Sequence, residues 1–144
     1  MKPFRLSLVL LLAGLALAAC GTQSAAQALK NWMSQSNVTT NLTTLVGDAH
    51  KVNVQLSDPH ATAGNLHLVC AVLYLDANAA GAALPTPDSQ TSTLLADAYE
   101  TLLHAVNDCY AATTSPVRRS RARAELITAG GYIIEARARM AAAS

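Results

Sequence analysis

Four histidines, His50, His60, His67 and His104, are the side chains best suited to binding a metal ion or moving a proton. A metal centre needs three or four ligands converging on one ion. The chain has neither the His-Glu-x-x-His spacing of zinc hydrolases nor the Cys-x-x-Cys-His spacing of haem attachment. It also lacks the Gly-x-Ser-x-Gly elbow that would present a serine nucleophile, and any glycine-rich loop that would cradle a phosphate. The acids are scattered, and no pair stands out for general acid–base work. Asp76 is notable because it interrupts an apolar run, and it is expected at the edge of a buried face. No catalytic residue, metal or cofactor is therefore expected.

The three cysteines carry more information. Lys2 and Arg5 precede an almost wholly apolar stretch, Leu6 to Leu17, which ends in Leu17-Ala18-Ala19-Cys20-Gly21. The stretch is too short to span a bilayer as a mature helix, and its basic flank suits a secretory signal. Small residues running straight into a cysteine resemble the lipobox of bacterial lipoproteins, and all four positions fit. The resemblance implies cleavage before Cys20, a diacylglyceryl thioether on its sulfur, and further acylation of the new amino group. Two or three chains make a stable anchor where one is marginal. The alternative is an ordinary signal peptide with a cysteine at the cut. The implied place is the extracytoplasmic face of the cell membrane. In a Gram-negative cell Gly21 does not specify inner-membrane retention, so the outer membrane stays open. Cleavage removes two of the ten basic residues and leaves the nine acids in slight excess.

Cys70 and Cys109 remain, and only one pairing exists. Export favours a disulfide, worth about 4 kcal/mol by loop entropy. Two buried free thiols are the alternative. A redox site is disfavoured because no Cys-x-x-Cys spacing is present.

Arg118, Arg119, Arg121 and Arg123 form the sharpest polar feature. At 100° per residue they spread over about 200° of a helix, so they cannot all face one neighbouring helix. One reading is a solvated face that pairs in part with acids of the preceding helix, Asp108 with Arg119 and Arg121, and Asp88 with Arg137 and Arg139. The other is a docking patch for an anionic partner.

These residues need elements to hold them. Residues 20–28 read as a lipidated tether after a signal peptide at 1–19, and residues 29–144 as the folded domain. Leu29, Trp32, Met33, Val38, Leu42, Leu45, Val46, Ala49 and Val52 recur at three- and four-residue steps, which predicts one helix. Lys51–Leu56 alternates like a strand but reads better as the fraying end of that helix. Ser57-Asp58-Pro59 predicts the start of a second helix running to about Ala83. Its middle, Leu66 to Leu75, is so apolar that burial nearly all round is expected. Thr86 as cap and Pro87 as first residue predict a third helix to about Ala112. Ser115-Pro116 predicts a fourth, to about Ala142, with Gly130-Gly131 inside it for close packing or a weak kink.

Four amphipathic helices with short connections predict an all-α fold, an antiparallel up-down four-helix bundle. A hairpin around Pro85 would place Cys70 opposite Cys109, so fold and disulfide support each other. In that register His104 lies roughly 12 Å along the helix axis from His67, which argues against a shared metal. The stretch from Cys70-Ala71-Val72-Leu73-Tyr74-Leu75-Asp76 through Leu84-Pro85-Thr86-Pro87-Asp88 to Asn107-Asp108-Cys109-Tyr110 resembles uncharacterised secreted proteins and lipoproteins of actinobacteria. The resemblance implies a cysteine-linked helical hairpin and no activity.

The composition is 51% hydrophobic and 13% charged, which excludes disorder. A net charge of +1 gives no pull toward nucleic acid. The expected function is that of a lipid-anchored binding or adaptor module meeting an envelope protein partner. The alternative is a carrier of a small apolar ligand held between the helices, which a cavity above about 300 Å³ would favour.

Overall fold

The computed structural model describes residues 23–144, and Cys20 with its apolar leader lies outside them. Among the described residues the chain is all-helical. The helices are α1 (Ala25–Ser36), α2 (Val38–Ser57), α3 (Ala63–Gly81), α4 (Ser89–Ala111) and α5 (Pro116–Ala142). A disulfide joins Cys70 of α3 to Cys109 of α4, with their Cα atoms 6.2 Å apart.

Five helices replace the four expected because the first is broken. Asn37 adopts a left-handed conformation, φ 52°, between α1 and α2. Asn tolerates this region better than other residues bearing a Cβ. Asn41 donates its side-chain amide to the Ser36 carbonyl across the break. α1 also begins inside the expected tether, where the Ser24 hydroxyl accepts from the Gln27 N–H. Lys51–Leu56 is helical, the last stretch of α2.

Two helix starts fall later than the sequence suggests, for one reason. Each expected cap belongs to a turn, and a better cap follows it. Asp58 accepts from the His60 N–H in a local turn, and α3 starts only after Thr62, which accepts from Asn65. Thr86 donates to the Asp88 carbonyl. Asp88 itself caps α4, accepting from both the N–H and the hydroxyl of Thr91. Ser115 and Pro116 start α5 as expected, with the Ser115 hydroxyl accepting from the Arg118 N–H.

The core is built from Leu42, Leu45, Val52 and Leu56 of α2, Leu66 and Leu73 of α3, and Leu95, Leu102 and Val106 of α4. Where α4 meets α5 the buried residues are largely alanine: Ala98, Ala105 and Ala112 on one side, Ala122, Ala129 and Ala136 on the other. Such small side chains let two helices approach closely. α1 sits at one end. It buries Leu29, donates from the Trp32 indole to the Ala83 carbonyl at 3.2 Å, and reaches the Ser144 carbonyl with Lys30.

The apolar centre of the expected second helix is not buried all round. Leu66, Cys70, Leu73, Ala77 and Ala80 face the core. Leu68 is 65% exposed and Leu75 64%, with Val72 and Tyr74 also open to solvent. α3 contacts neighbours on one side, so its outer leucines have nothing to cover them. Gly130 and Gly131 are not close-packing residues either, since a Cβ at either would meet no atom within 4 Å.

Candidate functional site

The four arginines open α5, and each is engaged by its own chain. Arg118 bonds the buried carboxylate of Asp108 on α4, and Arg121 approaches the same carboxylate at 3.5 Å. Arg119 does not reach Asp108. Its guanidinium donates to the carbonyls of Leu56 and Asp58, at 3.1 and 3.3 Å. Those carbonyls close α2, where helix geometry leaves acceptors unsatisfied, so Arg119 caps one helix from the start of another. Arg123 donates to the Asn53 side chain. The cations thus tie the beginning of α5 to the ends of α2 and α4.

Glu125 lies one turn further along. One of its carboxyl oxygens is buried without a hydrogen-bond partner. Burial raises its pKa, the charge of Asp108 raises it further, and His104, Arg121 and Arg118 pull the other way. At the opposite end of α5, Arg139 forms an ion pair with Asp88, the cap of α4, at 3.2 Å. Arg137 reaches Thr43. Of the expected pairs, Asp88–Arg139 and Asp108–Arg121 form, and Arg118 takes the place assigned to Arg119.

Asp76 lies at the edge of the buried face and meets a second carboxyl, Asp48, a pairing that the sequence did not show. Asp48 of α2 is buried and bonded to Lys51 at 2.6 Å. Burial opposes its ionisation, but hydrogen bonds from Lys51 and Asp76 prevail and hold its pKa below the ordinary value. The bond to Asp48 raises the Asp76 pKa, and burial adds to it. Of the two carboxyls, Asp76 is thus the one that holds a proton more tightly.

The histidines do not come together. His67 contacts the Tyr110 carbonyl and ring, His104 lies 3.8 Å from Glu100, His60 belongs to the turn after α2, and His50 lines a groove. Among the described residues no three His, Cys, Asp or Glu side chains converge as a metal site. No helix among them is long and apolar enough to cross a membrane.

That groove runs between α2 and α5 with Leu102 of α4 at its floor. Val46, Ala49, Ile127, Gly130 and Ile133 make it apolar, and its volume is about 200 Å³. Gly130 keeps it open, because a side chain there would project into free space. Ligand pockets begin at about 300 Å³, so the groove is small for a carrier.

The outer face of α3 is the other surface with binding character. From Ala63 to Leu75 the helix carries no Asp, Glu, Lys or Arg. Leu68, Val72 and Leu75 form an exposed stripe on a helix clamped by Cys70.

The chain matches no family model, no curated protein and no solved structure. The apolar run was legible in the sequence. Its outer half, Leu68 and Leu75, could not be separated from core by composition. The Asp48 partner of Asp76 was missed because it lies on another helix, 28 residues earlier.

Proposed function

We propose that the chain is a lipid-anchored, extracytoplasmic binding or adaptor protein of the cell envelope, acting without catalysis. In this reading α2–α5 form an antiparallel up-down four-helix bundle, and α1 leads into it from an acylated Cys20. Two sets of cross-links support the topology. Between α3 and α4 they join Cys70 to Cys109 and His67 to Tyr110. Between α2 and α5 they join Asn53 to Arg123 and Thr43 to Arg137. In each set one number falls as the other rises, as antiparallel neighbours require.

The observation that carries the binding reading is the outward stripe of Leu68, Val72 and Leu75. Apolar side chains that adjoin one another in an exposed patch, rather than standing singly, mark a partner surface. The partner this stripe fits is an envelope protein presenting an apolar, uncharged helix face. An anionic membrane surface would call for lysines or arginines beside the stripe, and α3 has none. The arginines at the start of α5 act as struts in this scheme. The carrier alternative is weaker for size, since the groove holds about 200 Å³ and the more polar pocket between α1 and the end of α5, beside Asp88 and Arg139, about 270 Å³.

The test uses cells making the full chain. A photoreactive residue in place of Val72 should yield one discrete protein adduct, and the same residue in place of Ala124 on α5 should not yield it. Leu68→Lys with Leu75→Lys should abolish the adduct at an unchanged melting temperature. Adducts that survive the two lysines, or that contain only lipid, would refute the reading. Labelled palmitate should enter the native chain and fail to enter Cys20→Ser.

A further inference from the structure

α5 has two seams of the same period. The inner one, Ala122, Leu126, Ala129, Ile133, Ala136 and Met140, is buried. The outer one repeats that spacing on the solvent side. Val117, Ala124, Gly131 and Ala138 recur every seven residues, and Ile127 and Ile134 fall three residues after Ala124 and Gly131. All six are exposed, with Val117 at 67%, Ile127 at 75% and Ile134 at 68%. Apolar and small residues held in heptad register over three to four heptads, with charges on the flanks, are the pattern of a helix that pairs with another helix.

We propose that this outer seam is the interface of a homodimer, in which α5 packs antiparallel against α5 of a second copy. Shape argues for this occupant. In the antiparallel register centred on Ala129, each Ile127 lies opposite the second copy's Gly131, and each Ile134 opposite its Ala124. Large side chains then meet small ones in every central layer, the arrangement that fills space without strain. A parallel pair would set Gly131 against Gly131 and Ile127 against Ile127, leaving a gap beside a clash.

Charge argues the same way. Glu135 flanks the seam and has no ion pair or hydrogen bond among the described residues. Arg121 flanks it on the same side, half-exposed and only 3.5 Å from Asp108 at its Nε. In the antiparallel register Arg121 of each copy faces Glu135 of the other, twice by symmetry. The parallel register offers no such pair. Arg123 and Arg137 flank the opposite side and would face each other as like charges. Both are turned away from the seam, toward Asn53 and Thr43 of α2. The proposal does not depend on the α3 partner or on the anchor, because α5 and α3 present different faces.

The experiment is sedimentation and disulfide trapping on the full chain with Cys70–Cys109 intact, the unsubstituted chain serving as control for Cys20. The wild type should sediment as a dimer. Thr128→Cys lies beside the two-fold axis and should trap a covalent dimer under mild oxidation, whereas Ala141→Cys alone should not. Val117→Cys combined with Ala141→Cys should trap it again. Ile134→Lys counts twice in a two-fold interface and should weaken the dimer by about a hundredfold or more. Its melting temperature should hold at matched monomer fraction, since Ile134 is outside the core. A wild-type monomer at tens of micromolar would overturn the proposal. So would trapping of Ala141→Cys with itself, which marks a parallel pair, or a dimer indifferent to Ile134→Lys, which marks another surface.

Discussion

Asp48 and Asp76 titrate in opposite senses, and the signs can be worked through. Asp76 holds its proton more tightly in the folded chain, so its contribution to stability is complete below the ordinary value of 3.8 and fades as pH rises through the raised folded value. Asp48 is the reverse. Its contribution is present above 3.8 and fades as pH falls through the lowered folded value. The pair is therefore most stabilising in mild acid and weaker on either side. Asp76→Asn keeps a permanent donor toward the Asp48 carboxylate. Melting temperatures from pH 4 to 8 should show its advantage over wild type growing toward pH 8. There it reaches a few degrees, from about 1 kcal/mol of retained hydrogen bonding. A larger deficit at pH 8 than at pH 4 would contradict the tighter hold of Asp76 on its proton. Asp76 was visible in the sequence as a charge breaking an apolar run. Its meaning was not, because a carboxyl alone on one helix looks like any boundary residue.

At the level of the helices, the polar ties between them gather at their ends. Arg119 closes α2 from the first turn of α5 through two carbonyls. Arg119→Ala should therefore cost about 1–2 kcal/mol, and Arg121→Ala about 0.5 kcal/mol or less, since Arg121 makes one long contact to an acid already bonded by Arg118. Urea titration of the two variants gives the comparison, and equal losses would remove the capping role. The helix ends also show what sequence could and could not supply. Ser115-Pro116 was read correctly because cap and proline are adjacent and nothing competes with them. Asp58-Pro59 and Thr86-Pro87 misplaced their helix starts because a turn and a cap use the same residue types, and Thr62 and Asp88 cap better from two to four positions on. The break at Asn37 falls in the five-residue step from Met33 to Val38, a gap in the three- and four-residue rhythm that a single helix would not leave. The burial of Leu66–Leu75 was overestimated for another reason. Hydropathy reports what a helix would bury, and neighbours decide what it does bury.

Across the whole molecule, the link between Cys70 and Cys109 spans 39 residues and encloses the α3–α4 turn. Replacing both cysteines by serine should cost about 4 kcal/mol. Chemical denaturation with the native disulfide intact and with both cysteines replaced measures this directly, and a loss below about 1 kcal/mol would show that α3 and α4 hold their register without it. The pairing was legible from the sequence alone, because a hairpin around Pro85 set the two remaining cysteines facing each other. The left-handed residue at Asn37 has a different kind of consequence, because it makes α1 a unit separate from α2. α1 buries a single residue, Leu29, and adds the bonds of Trp32 and Lys30. It is therefore the helix that opens with least disturbance to the rest. Its 12 residues cover about 18 Å when coiled and about 40 Å when drawn out. Were Cys20 lipidated as proposed, melting α1 back to Asn37 would add its 12 residues to the tether while α2–α5 stayed folded, an extensible stalk for the domain.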